Sequence, residues 1–170
     1  SERGGAMSLY YLNVTLHVLA ALLWLGGMFF LAAVGAPVLR KVEPAGLRAQ
    51  IFQAIGLQFR RVGWITIAVL LITGTLNLHF RGVLSWRVLS DAAFWATRYG
   101  HALAWKLAAV AVMVVVSALH DFWLGPRASV AEPGSPEAIR LRTGAAWLAR
   151  INAIVGLILV FAAVRLARGG

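Results

Sequence analysis

Long apolar runs separated by short polar stretches organise this chain. They fall at about 9–39, 57–79, 99–124 and 144–166, and no charged residue occurs between Gly4 and Leu39. Each run exceeds the roughly 20 residues a helix needs to cross ~30 Å of hydrocarbon. Lipid offers no water to satisfy open backbone groups, so segments of this kind must be helical. The pattern predicts an all-α fold, an integral membrane four-helix bundle. Residues 1–170 read as a single four-span domain with no clear repeat. Ser1–Ala6 (SERGGA), ahead of Met7, reads as a remnant of expression and is set aside. The first run is too long for a cleaved signal and carries His17, so it is expected to be retained.

The connections are short. Leu39–Phe59 reads as a turn followed by a short interfacial helix after Pro44. Phe80–Arg98 carries Trp86, Phe94 and Trp95, an aromatic interface pattern. Gly125–Leu141 holds Pro126, Pro133, Gly134 and Pro136 and reads as a flexible connector. Gly26–Gly27, Gly63 and Gly74 are expected where helices approach closely.

Composition sharpens the class. The chain is 61% hydrophobic and 13% charged, against roughly half and a quarter in soluble domains. A net charge of +10 raises nucleic acid as a partner. The arginines instead cluster at segment ends and short loops, as lipid headgroups and topology require; nucleic-acid binding is set aside. Cys is absent, which removes disulfides, iron–sulfur clusters and thiolate metal sites. Arg and Lys are more numerous around the first and third connections than around the termini and the second. This predicts a multi-pass protein of the cell inner (plasma) membrane with both termini outside.

Against this background the intramembrane polar residues stand out. Lys106 lies inside the third run, and a charge there is expensive enough that it faces the protein interior and marks function. Tyr99, Met113, Ser117 and His120 share its face, within about 40° at ~100° per residue. His17 lies about as deep in the first run as Lys106 does in the third, roughly 10–12 Å from the same side. Asn13 is one turn above His17 and Trp24 two turns below. His79 and His101 are shallower, His79 off the Thr66–Thr73–Asn77 stripe and His101 turned about 140° from Lys106. His120 sits beside Asp121 near the opposite surface, about 21 Å along the helix from Lys106. His17 reads either as a structural hydrogen-bonding group or as a ligand, and Lys106 either as a site residue or as a snorkelling cation.

These residues carry a resemblance. HVLAALLWLGGMFF, QFRRVGWITIAVLLITGTLN and TRYGHALAWKLAAVAVMVVVSALH together resemble the copper-resistance-D (CopD) family, over about Leu9 to His120. The first-helix His followed by Trp, and the third-helix Lys-Leu with a later His, also resemble the HemJ-type protoporphyrinogen oxidases. By that resemblance His17 and Lys106 inherit a role in binding haem b. The Gly26–Gly27 pair departs from the HemJ pattern, and the copper-uptake proteins are longer, with more spans.

The expected function follows. A haem b centre held by His17 and Lys106 would serve electron transfer or oxidation of a lipophilic substrate, making the protein a haem-dependent membrane oxidoreductase with an electron-transfer partner. The alternative is copper binding and transport across the membrane, with His17, His79, His101 and His120 as metal ligands. A Cu(I) relay is thin in a chain with no Cys and with only Met28 and Met113 inside its spans. A cofactor-free structural module is the third reading, and it leaves Lys106 an unexplained cost.

Overall fold

A computed structural model describes residues 2–132 and 135–168. Among them the chain is helical throughout, with no strand. Four helices are long and apolar enough to cross a membrane: Met7–Leu39, Ala45–Phe80, Arg98–Val130 and Pro136–Ala167. The chain forms two compact units, 1–90 and 91–170. In the first unit the first long helix packs on the second, and in the other the third packs on the fourth.

The first and third helices share a device. Each contains a π-helical turn, Leu31–Gly35 and Leu119–Leu124, immediately before a small residue and a proline, Ala36–Pro37 and Gly125–Pro126. Proline has no N–H and its ring collides with the carbonyl four residues back. Widening the preceding turn relieves that collision while keeping the helix going. Gly125 N–H accordingly reaches the His120 carbonyl. The third helix therefore runs on to Val130, where the sequence predicted a flexible connector from Gly125.

The second helix also differs from expectation. Instead of a separate interfacial helix, one 36-residue helix starts at Ala45 directly after Pro44 and ends at Phe80. Nothing between Ala45 and Leu57 breaks it: Gly46 and Gly56 cost only about 1 kcal/mol each. Gly82, at φ +68°, turns the chain out of this helix, and its N–H bonds the His79 carbonyl at 2.9 Å. The segment that follows holds two short helices, Trp86–Leu89 and Ala92–Ala96, capped by Ser85 and Asp91. Thr97 caps the third helix through Gly100 N at 3.0 Å, and Ser135 caps the fourth through Ala138 N at 3.1 Å. Each cap satisfies an amide that has no intrahelical partner.

Gly100 is required sterically. A Cβ there would run into the Phe94 carbonyl oxygen and lie 2.8 Å from Trp95 Cα, because the Ala92–Ala96 turn folds onto the start of the third helix. Gly27 and Gly74 do mark close approaches, to the Phe59 ring and to His17. Gly26 and Gly63 do not: a Cβ would meet nothing within 4 Å at either. Aromatic and basic side chains associate on the third and fourth helices, with Arg127 over Trp123 at 4.7 Å and Arg150 over Trp147 at 5.2 Å. These pairs suit a membrane–water interface.

Candidate functional site

One polar cluster organises the first unit. Asn13, Ala20 and Trp24 are buried along one face of the first helix, with His17 half-buried among them. Thr66, Ile67 and Thr73 are buried on the second helix. Asn13 spends both amide protons on that helix, one on the Thr73 carbonyl and one on Asn77 Oδ1, each at 2.9 Å. His17 Nδ1 lies 2.7 Å from Thr73 Oγ1. The second helix can come this close because residue 74 is glycine; a Cβ there would sit 3.4 Å from the imidazole Cε1.

The hydrogen-bond network assigns the imidazole tautomer. A threonine hydroxyl has one proton, and that of Thr73 goes to the Val69 carbonyl at 2.6 Å. Its oxygen can therefore only accept from His17, so Nδ1 carries the hydrogen and Nε2 the lone pair. A neutral imidazole with Nδ1–H tied to an oxygen is the form in which Nε2 serves as a metal ligand or proton acceptor.

The other histidines are placed differently. His79 is exposed, its ring packed edgewise on Phe80 at 6.1 Å, away from the Asn13–His17–Thr73 cluster on the same pair of helices. His101 is exposed and donates Nδ1–H to the Thr97 carbonyl at 3.2 Å, a local helix-start contact. His120 is half-buried and donates to Asp121 Oδ1 at 2.8 Å. Among the described residues, no group of three or more His, Cys, Asp or Glu is placed to hold a metal ion.

In the second unit Leu103, Met113 and Ser117 are buried on the third helix. Lys106 is half-buried on that helix, about 20° around it from Met113. The sequence reading passed over Asn152. It is buried on the fourth helix and donates to Ser117 Oγ at 2.9 Å, while its Oδ1 has no hydrogen-bond partner. The signal was available: an amide inside the apolar run 144–166 carries the same cost as the polar residues of the first helix.

The comparisons agree with the membrane character of the chain. The family model described as Copper resistance protein D (CopD) matches residues 53–166, which takes in most of the second helix with the third and fourth and leaves out the helix of His17. A protein of Aquifex aeolicus (strain VF5), named "Uncharacterized protein", is 32% identical over 155 residues, covering 91% of this chain and 92% of its own. No solved structure matches.

Proposed function

The chain belongs to the copper resistance protein D family, and from that premise we propose that it is a multi-pass membrane protein holding a redox metal centre, with haem b as the group bound and His17 as its principal ligand. The observation that supports this reading is the His17–Thr73 contact: Nδ1 lies 2.7 Å from Thr73 Oγ1, which ties the ring to the second helix through one nitrogen. The donor set fits a group that needs few protein ligands. A haem iron takes one or two axial donors, and His17 meets that need without the larger cluster a bare ion would want. Lys106, on the third helix, is the other residue that the likeness to the HemJ-type proteins marks for haem binding.

When bound, haem iron supplies one-electron chemistry. The residues of this chain do the rest. Thr73 holds the imidazole from the second helix, Asn13 ties the two helices together beside it, and buried Trp24 and Ala20 keep water from that face. Electron transfer, or oxidation of a lipophilic substrate drawn from the bilayer, is the activity this arrangement serves. In bacterial terms we place it in the inner membrane with both termini outside.

Copper is the second reading, favoured by the family match. It asks His17 to act with His79, His101 or His120. His79 and His101 are exposed and His120 donates to Asp121, so such a site needs those rings to move.

The test is the visible spectrum of purified protein after haem reconstitution, wild type beside His17→Ala. A Soret band in the wild type that shifts or disappears in the variant is expected. An unchanged band in the variant, or none in either, overturns the haem reading. Copper found by elemental analysis in the wild type and lost in His17→Ala then promotes the second.

A further inference from the structure

The two units share one register. Sliding the second back by 89 residues lays Tyr99 on Tyr10, Pro126 on Pro37, Glu132–Pro133 on Glu43–Pro44 and Arg150 on Arg61. The structural landmarks follow the same offset. The π-helical turn Leu119–Leu124 falls on Leu31–Gly35 to within a residue, and the start of the fourth helix at Pro136 falls within two residues of the start of the second at Ala45. Burial agrees fully between the second and fourth helices and in part between the first and third, where buried Ala20 falls on half-buried Ala109. Met113 takes the place of Trp24 and Ala102 that of Asn13, all four buried. The buried residues of the second helix, Gly63, Thr66, Ile67 and Thr73, fall on Asn152, Val155, Gly156 and Ala162 of the fourth, which are buried too.

Any two apolar helices share a 3.6-residue period, so agreement in buried face alone would count for little. Periodicity does not also align the proline breaks, the widened turns and the helix starts. Sequence identity between the halves is too low to reveal the relation, because most aligned positions carry different residues. Hence the chain reads as free of repeats until burial is known.

We infer that the protein is a tandem repeat of one helix-pair unit, and that Lys106 occupies in the second unit the position His17 occupies in the first. The copies have diverged around that position. Thr73 and Asn77, with Asn13, surround or brace the imidazole; their counterparts are Ala162, Leu166 and Ala102. An imidazole must have its second nitrogen satisfied and its plane held, which takes an oxygen on the neighbouring helix. By this register residue 162 stands where residue 73 stands in the first unit, so a threonine there would return an acceptor to an imidazole at 106. This conclusion stands on register and burial, and it holds whether or not a metal is bound.

The experiment is a double-mutant cycle in the full chain, read by reversible unfolding in detergent: Lys106→His, Ala162→Thr and both. The new threonine has its i−4 carbonyl at Ile158, the counterpart of Val69, and its oxygen is placed to accept from the new imidazole. The pair is expected to favour the folded state by about threefold beyond the product of the single changes, the average size of an interhelical hydrogen bond in a membrane protein. Lys106→His with Ile158→Thr, one turn away, is expected to show no coupling. Absence of coupling at 162, or equal coupling at 158, overturns the inference. Should the double variant not fold, the cysteine-free chain allows a second measurement. Single cysteines across 13–24 and 102–113 are reacted with a maleimide in vesicles. The two reactivity profiles are expected to superimpose at an offset of 89, and a better match at any other offset overturns the repeat.

Discussion

His17 Nδ1 stands 2.7 Å from Thr73 Oγ1, and the Thr73 hydroxyl spends its proton on Val69. The two bonds form a chain with a direction: imidazole N–H to hydroxyl, hydroxyl to carbonyl. Direction is what gives the cluster chemical meaning, since it leaves the lone pair on Nε2 whatever that nitrogen then meets.

Thr73→Val keeps the shape and removes the acceptor. A polar hydrogen left without its buried partner costs about 1–3 kcal/mol, so the variant should unfold at lower denaturant or temperature than wild type. Thr73→Ser should restore most of the loss, since it returns the oxygen. If a metal centre is present, its affinity should also fall by roughly 10–100-fold in Thr73→Val. Equal stability of Thr73→Val and wild type would show that the hydrogen bond contributes nothing.

Two glycines offer a contrast that thermal unfolding can read directly. Gly100→Ala must push apart the backbone of Phe94–Trp95 and the first turn of the third helix, for which no side-chain rotation compensates. Overpacking of this kind costs about 1–3 kcal/mol or more. Gly26→Ala meets nothing and gains helix propensity of up to ~1 kcal/mol. The first variant should melt below wild type and the second at or above it.

How far the sequence reveals this arrangement depends on what kind of signal each feature leaves. Helix number and the polar face of Asn13, His17 and Trp24 follow from composition and periodicity, which one strand of text displays. The continuation of the third helix past Gly125 does not. Proline reads as a breaker, and only a widened turn at Leu119–Leu124 lets the helix absorb it. Gly26 and Gly63 looked like contact points because small residues permit close approach, yet permission is not contact. The Ser117–Asn152 bond joins residues 35 positions apart, and nothing local in either run specifies that pairing.

That bond should prove weak. Asn152 donates to Ser117 Oγ but leaves its own Oδ1 without a partner in an apolar setting. The gain from one hydrogen bond, about 0.6 kcal/mol on average between membrane helices, is set against the cost of the orphaned oxygen. Asn152→Leu should therefore change stability by less than ~1 kcal/mol, in either direction, by chemical unfolding. A loss of several kcal/mol would mean that Oδ1 is satisfied by something bound, and would make Asn152 a site residue.

Lys106 gives the sharpest separation between a structural and a chemical role. It is half-buried, while Leu103, Met113 and Ser117 form the buried face of its helix. Methionine retains an unbranched stem of similar length and fills irregular space well. Lys106→Met should then preserve helix content and unfold within about 1 kcal/mol of wild type, since it leaves packing in place. If the ammonium were instead one half of a buried structural pair, its removal would cost about 3–5 kcal/mol. A role in haem binding predicts a different signature: an intact fold whose haem spectrum changes. Circular dichroism and visible absorption on the same sample decide between them. An unfolded variant assigns Lys106 to the architecture, and a folded variant with an unaltered spectrum removes it from the site.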